Sequence, residues 1–186
     1  MPQIWELKSD VNNYQQLALL HLEKDWEIPT YSFNGIPLIG QWNPLDVYIE
    51  NPELLPSDFP SITGIPLIVT ETSYSALFSV IGNHVEFLPL NCTDCNLKEL
   101  YAVNVLTMLD CLDHTQSKIV YFSDSNVADV EQFVFKHNCL GEIPIFKIPE
   151  HRVNRTFVND AFKTLIEKNK FKGLVFVSVF NTTDSI

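Results

Sequence analysis

Glycine is scarce in this chain, with only six in 186 residues, and none falls in the spacing of a dinucleotide fingerprint or a P-loop. Without such glycines a backbone cannot approach a pyrophosphate closely, so nucleotide-cradling chemistry is excluded. A Gly-x-Ser-x-Gly nucleophile elbow is also missing. Positive charge is scarce too: 12 Lys and Arg stand against 23 Asp and Glu, for a formal net charge of -11. A surface of that sign repels phosphate and anionic lipid, which argues against nucleic acid and membrane as partners and favours a basic protein. No apolar run approaches the ~20 residues that a bilayer-spanning helix requires. The N-terminus lacks the basic stretch and apolar core of a signal peptide, so a cytoplasmic location is expected. Cysteine is limited to Cys92, Cys95, Cys111 and Cys139. In a chain without an export signal these are expected as reduced thiols.

What is present is a folding composition. Hydrophobic residues make up 46% and aromatics 12%, enough to bury a core without disulfides or metal. The length fits one domain spanning 1–186, with a Pro-rich portion over 1–55 and a core over 56–180. Seven prolines between Pro29 and Pro66 exclude helix interiors and central strands there, leaving short edge strands and turns. Within that stretch the alternation of Leu45, Val47 and Ile49 with polar positions predicts a strand over 45–50. A strand over 4–7 and a helix over 14–24 are also expected.

Beyond residue 65 the pattern sharpens. Strand sequence at 66–69 is followed by Thr70 as a helix cap, Glu71 in the first turn, an apolar stripe of Ala76, Leu77, Val80 and Ile81, and Gly82 as a left-handed stop. A strand over 85–90 follows. The same layout recurs near the C-terminus: strand 156–158, cap Asn159, Asp160, a stripe of Phe162, Leu165 and Ile166, Gly173, then strand 174–179. Val69 aligns with Val158, Thr70 with Asn159, Leu77 with Ile166 and Phe87 with Phe176, without a gap. A recurring strand–helix–strand unit is one reading; chance repetition of common caps and stripes is the other. Further strands are expected over 100–106, 118–122, 131–135 and 143–148, with a short helix over 108–114. The mixed order predicts an α+β fold with a mixed or mainly antiparallel sheet and a few short helices.

Three clusters could carry chemistry. Asp110, Asp113 and His114, at i, i+3 and i+4, would share one helical face and could hold a metal or move a proton; a solvated face is the plainer reading. Cys92-x-x-Cys95 is a lone pair where a structural zinc site needs four ligands, and strand sequence rather than a helix start surrounds it, so a turn with two ordinary thiols is favoured. Lys163, Lys168, Lys170 and Lys172 form a basic cluster that reads as a solvated helix face. No cofactor is expected.

Several segments carry a resemblance in order: GIPLIVTE at 64–71, VEFLPL at 85–90, YAVNVL at 101–106, DCLD at 110–113, IFKI at 145–148, FVNDAFK at 157–163 and FKGLVF at 171–176. Together they resemble the bacterial immunity-protein family number eleven of polymorphic toxin systems, over residues 55–180. The resemblance implies a small cytosolic protein that binds and neutralises a cognate protein toxin, with no catalytic residues. Asn104, Asp110 and Asp113 match polar positions of its pattern, as partner contacts or as structural groups. A basic toxin suits the charge, and the first fifty residues, where the likeness is weak, are candidates for partner-specific surface. Two other classes remain open: a metal-dependent or thiol enzyme using Asp110, Asp113 and His114 or Cys92 and Cys95, and a structural subunit of a secretion-related assembly.

Overall fold

The computed structural model describes residues 3–93, 95, 99–123 and 126–180. Its elements make an α+β fold of mixed and antiparallel sheets with short helices. In chain order they begin with strands β1 (Ile4–Ser9) and β2 (Leu17–Leu19), helix α1 (Leu22–Asp25) and strand β3 (Asp46–Ile49). Strand β4 (Ile68–Thr70), helix α2 (Glu71–Ile81), and strands β5 (Val85–Cys92) and β6 (Leu100–Val105) follow. Then come the hairpin strands β7 (Lys118–Ser123) and β8 (Asn126–Gln132), helix α3 (His137–Leu140) and strand β9 (Ile145–Phe146). Strand β10 (Phe157–Asn159), helix α4 (Asp160–Asn169) and strand β11 (Leu174–Phe180) close the chain.

Two sheets share one construction. In the five-stranded sheet, ordered β2-β3-β5-β6-β4, the strands that flank α2 in sequence lie on either side of β6 and antiparallel to it. In the four-stranded sheet, ordered β11-β1-β10-β9, the strands that flank α4 lie in the same way on either side of β1. The registers coincide. Val69 faces Tyr101 as Val158 faces Trp5, and Val85 faces Val105 as Leu174 faces Ser9. The contacts between helix and central strand match as well. Tyr74 of α2 stacks on Tyr101 with centroids 4.8 Å apart, and Lys163 at the corresponding position of α4 sits 3.5 Å above the Trp5 ring. Each helix starts where the sequence placed its cap. The Asn159 side chain accepts from Phe162 N at 3.0 Å, and Thr70 N donates to Ser73 Oγ at 3.0 Å.

Strand alternation then sorts the core. Leu7, Val69, Val103, Val105 and Val158 meet Leu77, Ile81, Phe162 and Ile166 of the two helices in a shared core. The opposite face of the five-stranded sheet, with Ile68, Leu88, Leu90, Leu100 and Ala102, is covered by the N-terminal segment through Leu17, Phe33, Leu45 and Ile62. The opposite face of the four-stranded sheet, with Ile4, Phe146 and Phe157, is covered by Cys111, Leu112, Val130, Phe133 and Phe135.

Local expectations fail where a distant backbone partner outcompetes local structure. Over 14–24, Leu17–Leu19 pairs with β3 as a strand, and only Leu22–Asp25 is helical. Residues 108–114 form no helix. Met108 bridges to Lys147 and Leu112 to Phe135, with Leu109 N donating to Lys147 O and Asp113 N to Val134 O. The strand expected over 131–135 lies earlier, at Asn126–Gln132. Gly82 is right-handed at φ -56°, so it is no left-handed stop; α4 instead ends on Lys170 at φ 57°. Cys92 and Cys95 form a disulfide rather than two free thiols. The chain turns directly after β5, which leaves their Cα atoms 5.5 Å apart, within the range a bridge spans.

Candidate functional site

The polar residues singled out in the sequence go to three different places. Asn104 is fully buried on β6. Its Nδ2 donates to Glu86 Oε2 at 3.0 Å and to the Ile36 carbonyl at 2.8 Å. The Glu86 carboxylate in turn accepts from Leu38 N at 2.8 Å and Ile39 N at 3.2 Å. A buried carboxylate and amide thus satisfy backbone groups of an irregular segment, as burial of polar atoms demands. Asn104 positions residues 36–39 on the sheet.

Asp113 caps its own turn. Its Oδ1 accepts from Thr115 N at 2.9 Å and from the Thr115 hydroxyl at 2.6 Å, and its Oδ2 from Gln116 Nε2 at 2.8 Å. The Thr115 hydroxyl and the amides beside it hold this carboxyl down at about 2. Asp110 is exposed, and its ion pair to Lys136 is long at 3.9 Å. His114 Nε2 bonds Glu150 Oε1 instead. With no helix beneath them, Asp110, Asp113 and His114 do not converge, and the described residues contain no group of three His, Cys, Asp or Glu side chains placed to hold a metal ion. Lys163 lies over Trp5 and 3.6 Å from Glu167, so this part of the basic cluster is packed rather than merely solvated.

A constellation that sequence reading missed lies on the far side of β1. A cleft of about 570 Å³ is lined by Glu6, Lys8, Asp129, His151 and Arg155. Arg155 spans it, with Nη2 2.6 Å from Asp129 Oδ1 and Nη1 3.5 Å from Glu6 Oε2, and its guanidinium lies 5.2 Å from the Phe133 ring centroid. Lys8 reaches Glu6 Oε2 at 3.5 Å. His151 is buried, and its Nε2 lies 3.6 Å from Asp129 Oδ1 with no hydrogen-bond partner among the described residues. Burial and the Arg155 charge push its imidazole below the usual value, so it is neutral at pH 7. The cleft can hold polar groups, and its charges largely satisfy one another. Its residues come from β1, β8 and the 151–155 loop, which no local motif links.

Lys147 stands behind this loop. It is fully buried, yet its Nζ donates to the carbonyls of Phe33 and Arg152 at 2.8 Å and of Val153 at 3.1 Å. Three acceptors require three protons, so the ammonium is the bound form. Burial pushes it down to about 8. The signal was legible in sequence as a lone lysine inside the apolar run IFKI.

The profile of the Immunity protein family (Imm11) matches residues 17–181, and the chain belongs to that family. The match takes in most of the N-terminal segment as well as the 55–180 stretch that carries the resemblance in the sequence. No curated protein matches the chain. Among the described residues, no helix is long and apolar enough to cross a membrane.

Proposed function

We propose that this protein neutralises a cognate toxin in the cytoplasm by binding it and covering its active site, without turning over a substrate. Membership of the immunity family over residues 17–181 carries this reading. The net charge of -11 supports a basic toxin, since opposite fields accelerate encounter. The chain acts as one domain, and neither nucleic acid nor membrane is its partner. Asn104 and Asp113 serve by holding the fold, and Asp110 is an exposed position open to a partner. The test is co-expression with the protein encoded next to it. Restored growth of cells arrested by that neighbour, with a complex that co-purifies, is expected. A harmless neighbour, or one that never associates with this chain, would contradict the reading and favour a subunit of some other assembly.

A further inference from the structure

We infer that the toxin docks on the outer surface of residues 20–53, where exposed aromatic and aliphatic side chains lie within an acidic rim. This deepens the reading above and rests on it. Leu20, Leu22, Trp26, Tyr31, Ile36 and Ile39 are all exposed along one short stretch of chain. Trp26 and Tyr31 meet edge to face at 6.1 Å. Beside them a cavity of about 190 Å³ is lined by Ile28, Leu38 and Trp42 together with Ser32, Gln41 and Asn43, a size that accepts one large side chain with a polar edge. Aromatic anchors beside a small pocket are what hot spots of protein interfaces are made of.

The charge around this surface is one-sided. Glu23, Glu27, Asp46, Glu50 and Glu53 reach solvent between residues 20 and 53, and Lys24 is the single lysine or arginine of that stretch. The occupant this fits is a basic protein face that offers an apolar or aromatic side chain. A second copy of this chain would bring like-charged rims together, which costs affinity. The surface is also held ready. Glu86 and Asn104 fix residues 36–39, Trp42 Nε1 donates to Pro89 O at 2.8 Å, and Lys147 holds the Phe33 carbonyl. A segment ordered before binding loses less entropy on docking. Another exposed apolar group, Val120, Tyr121 and Phe122 on β7, lies on a hairpin where Lys118 pairs with Glu131.

Calorimetry of the full chain with the purified protein encoded next to it tests the assignment. Trp26→Ala and Tyr31→Ala are each expected to weaken binding about 30-fold or more, the loss typical of interface anchors. Glu23→Lys with Glu27→Lys, both at exposed positions, should slow association and reduce its salt dependence. Phe122→Ser should bind as the wild type does. Unchanged binding by the Trp26, Tyr31 and charge variants, with loss on Phe122→Ser, would overturn the assignment while leaving the proposed function intact. A concentration-dependent dimer abolished by Trp26→Ala would also overturn it, in favour of a second copy. If the wild-type chain fails to bind its neighbour, the proposed function falls and this inference with it.

Discussion

Replacing Lys147 by methionine keeps the length of the side chain and removes its protons. Three carbonyls, those of Phe33, Arg152 and Val153, then lose a donor within 2.8–3.1 Å. Stranding these acceptors, one in a buried bond and two in partly buried bonds, costs about 1–3 kcal/mol each, or ~6 kcal/mol for three at the middle of that range. The substitution also removes a cost. Burial lowers the lysine from 10.5 to about 8, and at ~1.4 kcal/mol per pKa unit the native state pays about 3 kcal/mol to keep the charge at neutral pH. The net expectation for Lys147→Met is a loss of about 3 kcal/mol, read as a lower urea midpoint at unchanged slope. The pH dependence has a definite sign. Between about 8 and 10.5 the unfolded chain holds a proton that the folded chain has released, so stability from this residue rises with pH. The wild-type advantage over the methionine variant should therefore widen above pH 8. A variant within 1 kcal/mol of wild type at pH 7 would refute the claim that this ammonium pins two distant segments together.

Asn104→Ala should cost about 1–3 kcal/mol by denaturation and speed hydrogen exchange at the Leu38 and Ile39 amides, since the Glu86 carboxylate that holds them would lose its bond from Asn104 Nδ2; unchanged exchange would show that Asn104 does not position this segment. His151 is held below its ordinary 6.5, so the unfolded chain takes up a proton first as pH falls through that value, and stability from this residue is lost in acid. His151→Gln should accordingly flatten the wild-type loss of stability just below pH 6.5, and parallel curves would disprove it. Burial pushes the Cys111 thiol up to about 12, so it should resist a thiol reagent until the chain unfolds; fast labelling in the native state would contradict its placement in the core.

Much of the architecture was legible because local signals and the global fold agree in it. Caps at Thr70 and Asn159, the stripes of α2 and α4, and the alternation around β3 each marked an element. The recurring strand–helix–strand order, for which chance was the other reading, coincides with the common plan of the two sheets. What could not be read depended on partners far along the chain. Residues 108–114 carry a helical spacing of polar groups, but Lys147 and Phe135 supply backbone partners that draw the segment into extended form. The cleft joins Glu6 to Arg155 and Asp129, residues well over a hundred positions apart in part, with no motif to announce them. Asn104 was legible as a polar marker, a partner contact or a structural group, but not as a buried residue. The polar marker was real, but its work lies inside, beneath the N-terminal segment whose exposed side chains have no periodic signature.

The central claim, neutralisation by stoichiometric binding, is tested most directly by titrating this protein against the purified neighbour and following the neighbour's activity. Inhibition should saturate at a fixed molar ratio, set in at once and weaken as salt is raised. Progressive loss of activity at far less than one equivalent would mean that this chain modifies its target catalytically, and the account would fail.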